Sequence, residues 1–362
     1  MKRTFAEVNL NQLAENVRRV RTLISPSTKI MGVVKADAYG HGAREVAELL
    51  ISQGVEYLGV AWVTEALELR AAGIKAPILI LSEPVSNIVD DIIDLDVSQT
   101  IYSLPFARSL SAAAEAKGKK VKIHIKVDTG MGRIGVHPEE AVQLIASLYT
   151  LPGLELEGVF THFAKADEKL EGVKEKDDFT LQQLHKFNKM ITDLEKEGIK
   201  VPPIKHAANS AAIQNYPQTQ MDMVRAGIML YDKVLTFKSH VAYLKDVKTG
   251  TPLSYGATFI TEHDSKIVTI SAGYADGLSR LLSNKGQVLI NGVRYPMVGR
   301  VCMDMFLVDA TGSEGIKVGD EVVMIGKQGN EEIAMSEINR LTNTIAYEVM
   351  CGIGKRVPRI YK

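Results

Sequence analysis

The stretch Lys29-Ile30-Met31-Gly32-Val33-Val34-Lys35 decides the reading of the fold. It is a short apolar run, partly β-branched, closed by a lysine and followed by helix-like sequence, which is how a fully buried parallel strand reads. Outward from it the same unit recurs. Comparable runs lie at 57–61, 77–81, 97–102, 121–127, 156–161, 204–207 and 223–226, and the stretches between them have helical character. One such stretch, 64–72, is expected to place Ala66, Leu67 and Leu69 on one side and to stop at Gly73. Eight strand and helix pairs within roughly 200 residues is the number and length of a closed (β/α)8 barrel; an open doubly wound sheet is the competing arrangement.

Past residue 232 the texture changes. Strand-like segments at 267–271, 287–290, 305–308 and 321–325 are separated by Gly, Asn and Asp turns, with few helical runs. The expected fold class is therefore α/β, a (β/α)8 TIM-type barrel over 1–232 and a C-terminal mostly-β domain over 233–362, with the boundary within 232–238. No repeat beyond the strand and helix alternation and no low-complexity segment is visible.

Composition narrows the function. A chain of 362 residues with 46% hydrophobic and 24% charged residues is ordinary for a globular protein of about two domains. Its 43 basic residues balance 43 acidic ones and are interleaved with them, so nothing points to nucleic acid. Cys302 and Cys351 are too few and too far apart for a disulfide framework or a thiolate cage, and read as reduced packing thiols with no metal. Glu7 and Asn9 interrupt any secretory apolar segment and no later run approaches membrane-spanning length, so a cytoplasmic enzyme without a membrane partner is expected.

A barrel collects its chemistry at the C-terminal ends of its strands. The first strand ends in Lys35, the fifth in Lys126 and leads to Arg133, and the sixth delivers His162. The seventh is followed by Asn209 and Ser210, and the eighth carries Arg225 and runs into Gly227 and Ile228. Polar and small residues after strands seven and eight suit a phosphate group. A lysine at the end of an apolar strand is a desolvated amine able to bond a carbonyl cofactor, and the two features together suggest pyridoxal phosphate. Singly, each has a plainer reading: a solvated lysine, a hydrogen-bonded core histidine, an arginine paired for structure, glycines at a turn. Their convergence on one rim raises all of them.

The motifs extend over nearly the whole chain. They are Val-Val-Lys-Ala-Asp-Ala-Tyr-Gly-His-Gly at 33–42, His-Ile-Lys-Val-Asp-Thr-Gly-Met-Gly-Arg-Ile-Gly at 124–135, Thr-His-Phe at 161–163 and His-Ala-Ala-Asn-Ser-Ala-Ala at 206–212. Val-Arg-Ala-Gly-Ile at 224–228, Ser-Tyr-Gly-Ala-Thr-Phe at 254–259, Gly-Tyr-Ala-Asp-Gly at 273–277, Val-Gly-Arg-Val-Cys-Met-Asp at 298–304 and Arg-Val-Pro-Arg at 356–359 follow. In content and order this set resembles the bacterial alanine racemases, pyridoxal-phosphate enzymes of fold type III.

The resemblance implies interconversion of L- and D-alanine, supplying D-alanine for peptidoglycan, by two bases on opposite faces of the substrate. Lys35 would hold the cofactor and be one base, and Tyr255, contributed by the partner in a homodimer with shared sites, would be the other. The residue matching His162 hydrogen-bonds that tyrosine and links it toward Arg225 and His206, and Arg225 would face the pyridine nitrogen. Tyr39, Ser210, Tyr347 and the backbone of Gly227 and Ile228 would hold the phosphate, with Asn209 close by. Arg133 and the Met303 backbone of the partner subunit would take the substrate carboxylate, Tyr274 and Asp304 would line the access path and pocket wall, and Lys126 matches a position that is often carbamylated. A racemase of broader specificity, or one acting on serine, is the alternative, because one methylene discriminates by only ~1 to 3 kcal/mol. After Gly-Ile-Met-Leu-Tyr at 227–231, related sequences carry a longer Gly- and Pro-containing stretch. Here Asp232-Lys233-Val234-Leu235 follows at once, and a changed local rim and dimer surface are expected, with the named catalytic positions intact.

Overall fold

The computed structural model describes residues 3–84, 88–168 and 177–362. They form two compact units, one drawn from within 14–38 and 43–230, the other from within 3–13, 39–42 and 231–362.

After a first strand β1 (Phe5–Val8), the first unit takes up eight parallel strands: β2 (Lys29–Val33), β3 (Tyr57–Val60), β4 (Ile78–Ile80), β5 (Ser98–Ile101), β6 (Val121–Lys126), β7 (Leu154–Phe160), β8 (Ile204–His206) and β9 (Met223–Ala226). Their order in the sheet is β8-β7-β6-β5-β4-β3-β2-β9. Backbone bonds from Asp222 N to Lys205 O (3.0 Å) and from Arg225 N to Ala208 O (2.9 Å) join β9 to β8, so the sheet closes. Closure rules out the open doubly wound alternative. Every strand expected from the sequence is present, with ends moved by a residue or two.

The intervening helices bury one stripe each. Ala141, Val142, Ile145 and Leu148 of Pro138–Leu148 are buried at the three-and-four spacing of one helix face, and Pro138 starts the helix where its missing N–H is not needed. Helix Val63–Ala71 corrects one expectation: Ala66 and Leu69, three apart, are buried, but Leu67 stands about 100° round the axis from Ala66 and is 54% exposed. Inside the barrel, Met31, Tyr57, Leu79, Ile204 and Met223 form an apolar floor. It is a packed interior rather than a pore.

The second unit is mostly β. Its central strand, β10 (Leu235–Val247), alternates buried and half-buried residues in its first seven positions, as a strand with one covered face does. The remaining strands are β11 (Pro252–Leu253), β12 (Phe259–Ile260), β13 (Ser265–Ile270), β14 (Gln287–Ile290), β15 (Val293–Val298), β16 (Phe306–Asp309), β17 (Glu321–Gln328), β18 (Glu331–Ile333) and β19 (Arg359–Tyr361). The main sheet runs β18-β17-β14-β15-β16-β13-β10-β1-β19, and β10 also pairs with β17. Strand β1 pairs antiparallel with β10 and parallel with β19, which places the two ends of the chain in one sheet. Phe237, Val288, Leu289, Phe306 and Val323, all fully or almost fully buried, fill its core.

Neither cysteine is in a disulfide. Cys302 is half-buried, but Cys351 is exposed at the end of helix Ala346–Cys351 and is not the packing thiol expected of it. Among the described residues no helix is long and apolar enough to cross a membrane.

Candidate active site

Directly after β2 the backbone reverses its hand. Ala36, Asp37, Ala38 and Tyr39 have φ of 52°, 54°, 51° and 52°, and Gly40 follows at 79°. A left-handed turn costs L-residues roughly 1 to 2 kcal/mol each, so it persists only where its surroundings hold it. Glu65 accepts Ala36 N–H (2.7 Å), Asp37 Oδ1 accepts Ala43 N–H (2.7 Å) and Val34 O accepts Ala38 N–H (2.8 Å). Lys35 stands at the entrance to this turn.

Arg225, on β9, is buried and fastened on several sides. Nη2 donates to Thr161 O (2.7 Å), Ala207 O (2.9 Å) and His162 Nδ1 (3.2 Å), and Nη1 to His206 O (3.1 Å) and His206 Nδ1 (3.1 Å). Burial lowers its pKa to about 9, which leaves the guanidinium charged at neutral pH. Burial first, then the charge of Arg225, pushes both His162 and His206 well below the usual imidazole range. Lys126, Arg133 and Lys35 add to the effect at His162, so these cations converge on the same histidine. Both imidazoles are neutral, and each meets the arginine with a bare Nδ1.

Lys126 is 3% exposed, donates to Val127 O (3.0 Å) and lies over the Phe160 ring at 5.5 Å. Burial, then Arg225, brings its amine down to about 7. Arg133 sits exposed on a loop shaped by Asp128, whose carboxylate accepts the N–H groups of Gly130 (3.0 Å), Met131 (2.8 Å) and Gly132 (2.9 Å). Burial would raise the Asp128 pKa, but these donors prevail and lower it. Around the rim, Asn209 Oδ1 caps helix Ser210–Asn215 by accepting Ala212 N–H (3.0 Å), and Ser210 Oγ accepts Gly227 N–H (2.9 Å). Ile228 opens the 3-10 turn Ile228–Tyr231, whose first amides have no partner within the turn.

In the second unit, Tyr255 is 71% exposed on a turn that begins at Ser254, where φ is 59° and the hydroxyl bonds Arg300 O at 2.7 Å. Tyr274 N and Ala275 N donate to Cys302 O (3.0 Å) and Met303 O (3.1 Å), so Tyr274, Met303 and Asp304 come together. A buried carboxylate, Asp276, secures that junction by binding Arg3 and Arg356; the latter also reaches Asp304 at 2.8 Å. Tyr39 and Tyr347 face each other with ring centroids 5.7 Å apart.

Residues 8–233 match the alanine racemase N-terminal domain, and residues 234–361 match the alanine racemase C-terminal domain. The chain belongs to the alanine racemase family. Its members are isomerases that invert an amino-acid α carbon. Alanine racemase 2 of Caldanaerobacter subterraneus subsp. tengcongensis is 46% identical over 99% of this chain and 94% of its own. The solved alanine racemase of Clostridium difficile 630 superposes with a TM-score of 0.93 at 40% identity, covering 99% and 96% of the two chains. That of Bartonella henselae, solved with covalently bound pyridoxal phosphate, gives 0.88 at 29% identity and 99% of each chain.

Within this alanine racemase barrel, some buried polar residues were not singled out by sequence reasoning. Gln183, from helix Phe179–Lys196, donates to His162 O (3.1 Å) and accepts Ala164 N–H (2.9 Å), fixing the segment that carries His162. Glu157 and His124 bond each other at 2.9 Å inside the barrel. The polar alternation Lys122, His124, Lys126 on an otherwise apolar strand was a usable signal, because alternate residues share a face.

Proposed function

We propose that this chain interconverts L- and D-alanine with pyridoxal 5'-phosphate bound at Lys35, in a cytoplasmic homodimer whose sites each take Tyr255 of the partner subunit, and that its D-alanine supplies peptidoglycan. The observation that carries the reading is the fastened, charged Arg225 flanked by two neutral histidines, on the rim that begins with Lys35. The donor set fits the cofactor. Ser210 accepts the amides of Gly227 and Met229 and keeps its own proton to give, the turn opens with the Ile228 amide toward a phosphate, and Arg225, its two Nη groups held by the barrel, has Nε–H for a ring nitrogen. Tyr39, Tyr347 and Asn209 complete the phosphate end.

When bound, pyridoxal phosphate withdraws electrons from the α carbon of an amine it holds and so acidifies the α hydrogen. Arg225 can bond the pyridine nitrogen without surrendering a proton, which limits that withdrawal and favours return of the proton to the same carbon. Inversion requires removal on one face and return on the other, the tasks of the Lys35 amine and the Tyr255 phenol. Because His162 accepts from Arg225 at Nδ1, its proton lies on Nε2, where it can donate to the tyrosine oxygen and stabilise the phenolate. Arg133 and the Met303 backbone of the partner subunit take the substrate carboxylate, and Tyr274 and Asp304 line the way in. Lys126, at about 7, is in part neutral near physiological pH, the form that combines with carbon dioxide; the resulting carbamate would hold Arg133 by charge.

Purified protein should absorb as a pyridoxal enzyme, and borohydride followed by peptide mass analysis should mark Lys35; a colourless protein that takes up no cofactor defeats the assignment. By optical rotation, L-alanine should be racemised in preference to L-serine. Tyr255→Phe should lower the L-to-D rate by about 10² to 10⁴ with cofactor binding retained. A mixed dimer of Lys35→Ala and Tyr255→Phe subunits should recover one working site.

A further inference from the structure

Beneath the rim, a line of buried polar side chains crosses the barrel. His206 Nδ1 faces Arg225 at 3.1 Å, His206 Nε2 faces His124 Nδ1 at 2.9 Å, and His124 Nε2 faces Glu157 Oε2 at 2.9 Å. Glu157 also accepts from Ser98 Oγ (2.8 Å) and Tyr57 OH (3.1 Å) and pairs with Lys122 (3.2 Å). His124 and His206 are 0% exposed, and Glu157 is 8% exposed.

A guanidinium only donates and a carboxylate only accepts, so every bond between them has one direction. His206 must leave Nδ1 bare and carry its proton on Nε2, and His124 must do the same. A second proton on either ring would set donor against donor. The charged and titratable groups around the pair agree: burial and then Arg225 lower His206, with His124 and Lys126 adding, while burial lowers His124 against the opposing pull of Glu157. At the far end burial raises Glu157, but the hydrogen bonds from His124 and Ser98 and the charge of Lys122 together prevail and keep it ionised.

The backbone is shaped for this line. Pairing of β6 with β7 shifts register between Ile123 and His124, a defect of the kind that re-aims a side chain. Gly158 makes the room, since a Cβ there would lie 2.3 Å from His124 Nδ1. Phe160 then stacks on His206 with centroids 4.6 Å apart and planes 10° from parallel.

We propose that Glu157 and His124 are positioning residues for racemisation: they keep the proton of His206 on Nε2, hold its Nδ1 open to Arg225, and thereby fix the guanidinium that meets the cofactor. This rests on Arg225 facing the pyridine ring, as argued above.

The test is ¹⁵N spectroscopy of the histidine-labelled holoenzyme, alongside kinetics and the cofactor absorption band. In the parent, His206 and His124 should each show a bare Nδ1 and a protonated Nε2, unchanged between about pH 6 and pH 9. Glu157→Leu should introduce a second His206 tautomer, shift the absorption band and lower kcat about tenfold, with KM for alanine within about twofold. Glu157→Gln, whose amide oxygen can still accept from His124, should restore the tautomer and most of kcat. A parent His206 that is doubly protonated or carries its proton on Nδ1 overturns the proposal, as does a folded Glu157→Leu with parental tautomer and kcat. If that variant does not fold, the parent tautomers decide. A parent without racemase activity would remove the functional reading, whereas the tautomers report on this inference alone.

Discussion

The barrel encloses a guanidinium, an ammonium, a carboxylate and two imidazoles, in Arg225, Lys126, Glu157, His124 and His206, above a small apolar floor. The C-terminal unit is filled instead by hydrocarbon, with Phe237, Phe306 and the β-branched residues of β13, β14 and β17 at its centre. Its one buried carboxylate among the described residues, Asp276, serves the junction that presents Tyr274 and Met303. Buried charge is unfavourable unless bonded on all sides, whereas buried hydrocarbon is favourable unaided. The contrast assigns chemistry to the barrel interior, and stability together with display of exposed side chains to the β unit.

The largest expected effect tests the hydrocarbon half. Phe237→Ala should cost about 3 to 5 kcal/mol in denaturant unfolding, and a loss below about 1 kcal/mol would show that this core is not what holds the unit. For the charged half the sign reverses. The folded Lys126 amine, at about 7, lies below an unfolded lysine, so the unfolded chain binds the extra proton between those two values and stability rises with pH across that window. Lys126→Met removes a buried ammonium, and in carbon-dioxide-free buffer it should be more stable than the parent by about 2 to 4 kcal/mol near pH 6. The gap should close toward about pH 10, and a gap that ignores pH would mean the amine is not desolvated. Asp276→Asn, which weakens the bonds to Arg3 and Arg356, should cost about 1.5 to 3 kcal/mol and raise KM more than it lowers kcat. Leu67→Gln, on an outward helix face, should stay within about 0.5 kcal/mol of the parent by the same unfolding measurement.

The eight barrel strands were legible because each is a short apolar run with helical sequence on both sides, and the barrel then indicated where to look for Lys35, His162, Ser210 and Arg225. Strand β1 was not legible: four residues carry little pattern, and its partners Leu235–Val247 and Arg359–Tyr361 lie more than two hundred residues away. Leu67 was placed with Ala66 by adjacency, although adjacent helical residues diverge by about 100°. Glu157 was hidden for a related reason. Lying between Leu156 and Gly158, it owes its inward aim to a register shift that no local periodicity announces.

The reversed turn at Ala36–Tyr39 bears on whether this site could be moved. Its backbone is close to a mirror image of an ordinary helix, and Glu65 and Asp37 maintain it. A synthetic peptide spanning 33–42 would relax to the common hand, so grafting the motif onto a foreign scaffold would transfer the letters and lose the shape. Glycine at Ala36 or Ala38 should be accommodated there, and valine at either should not.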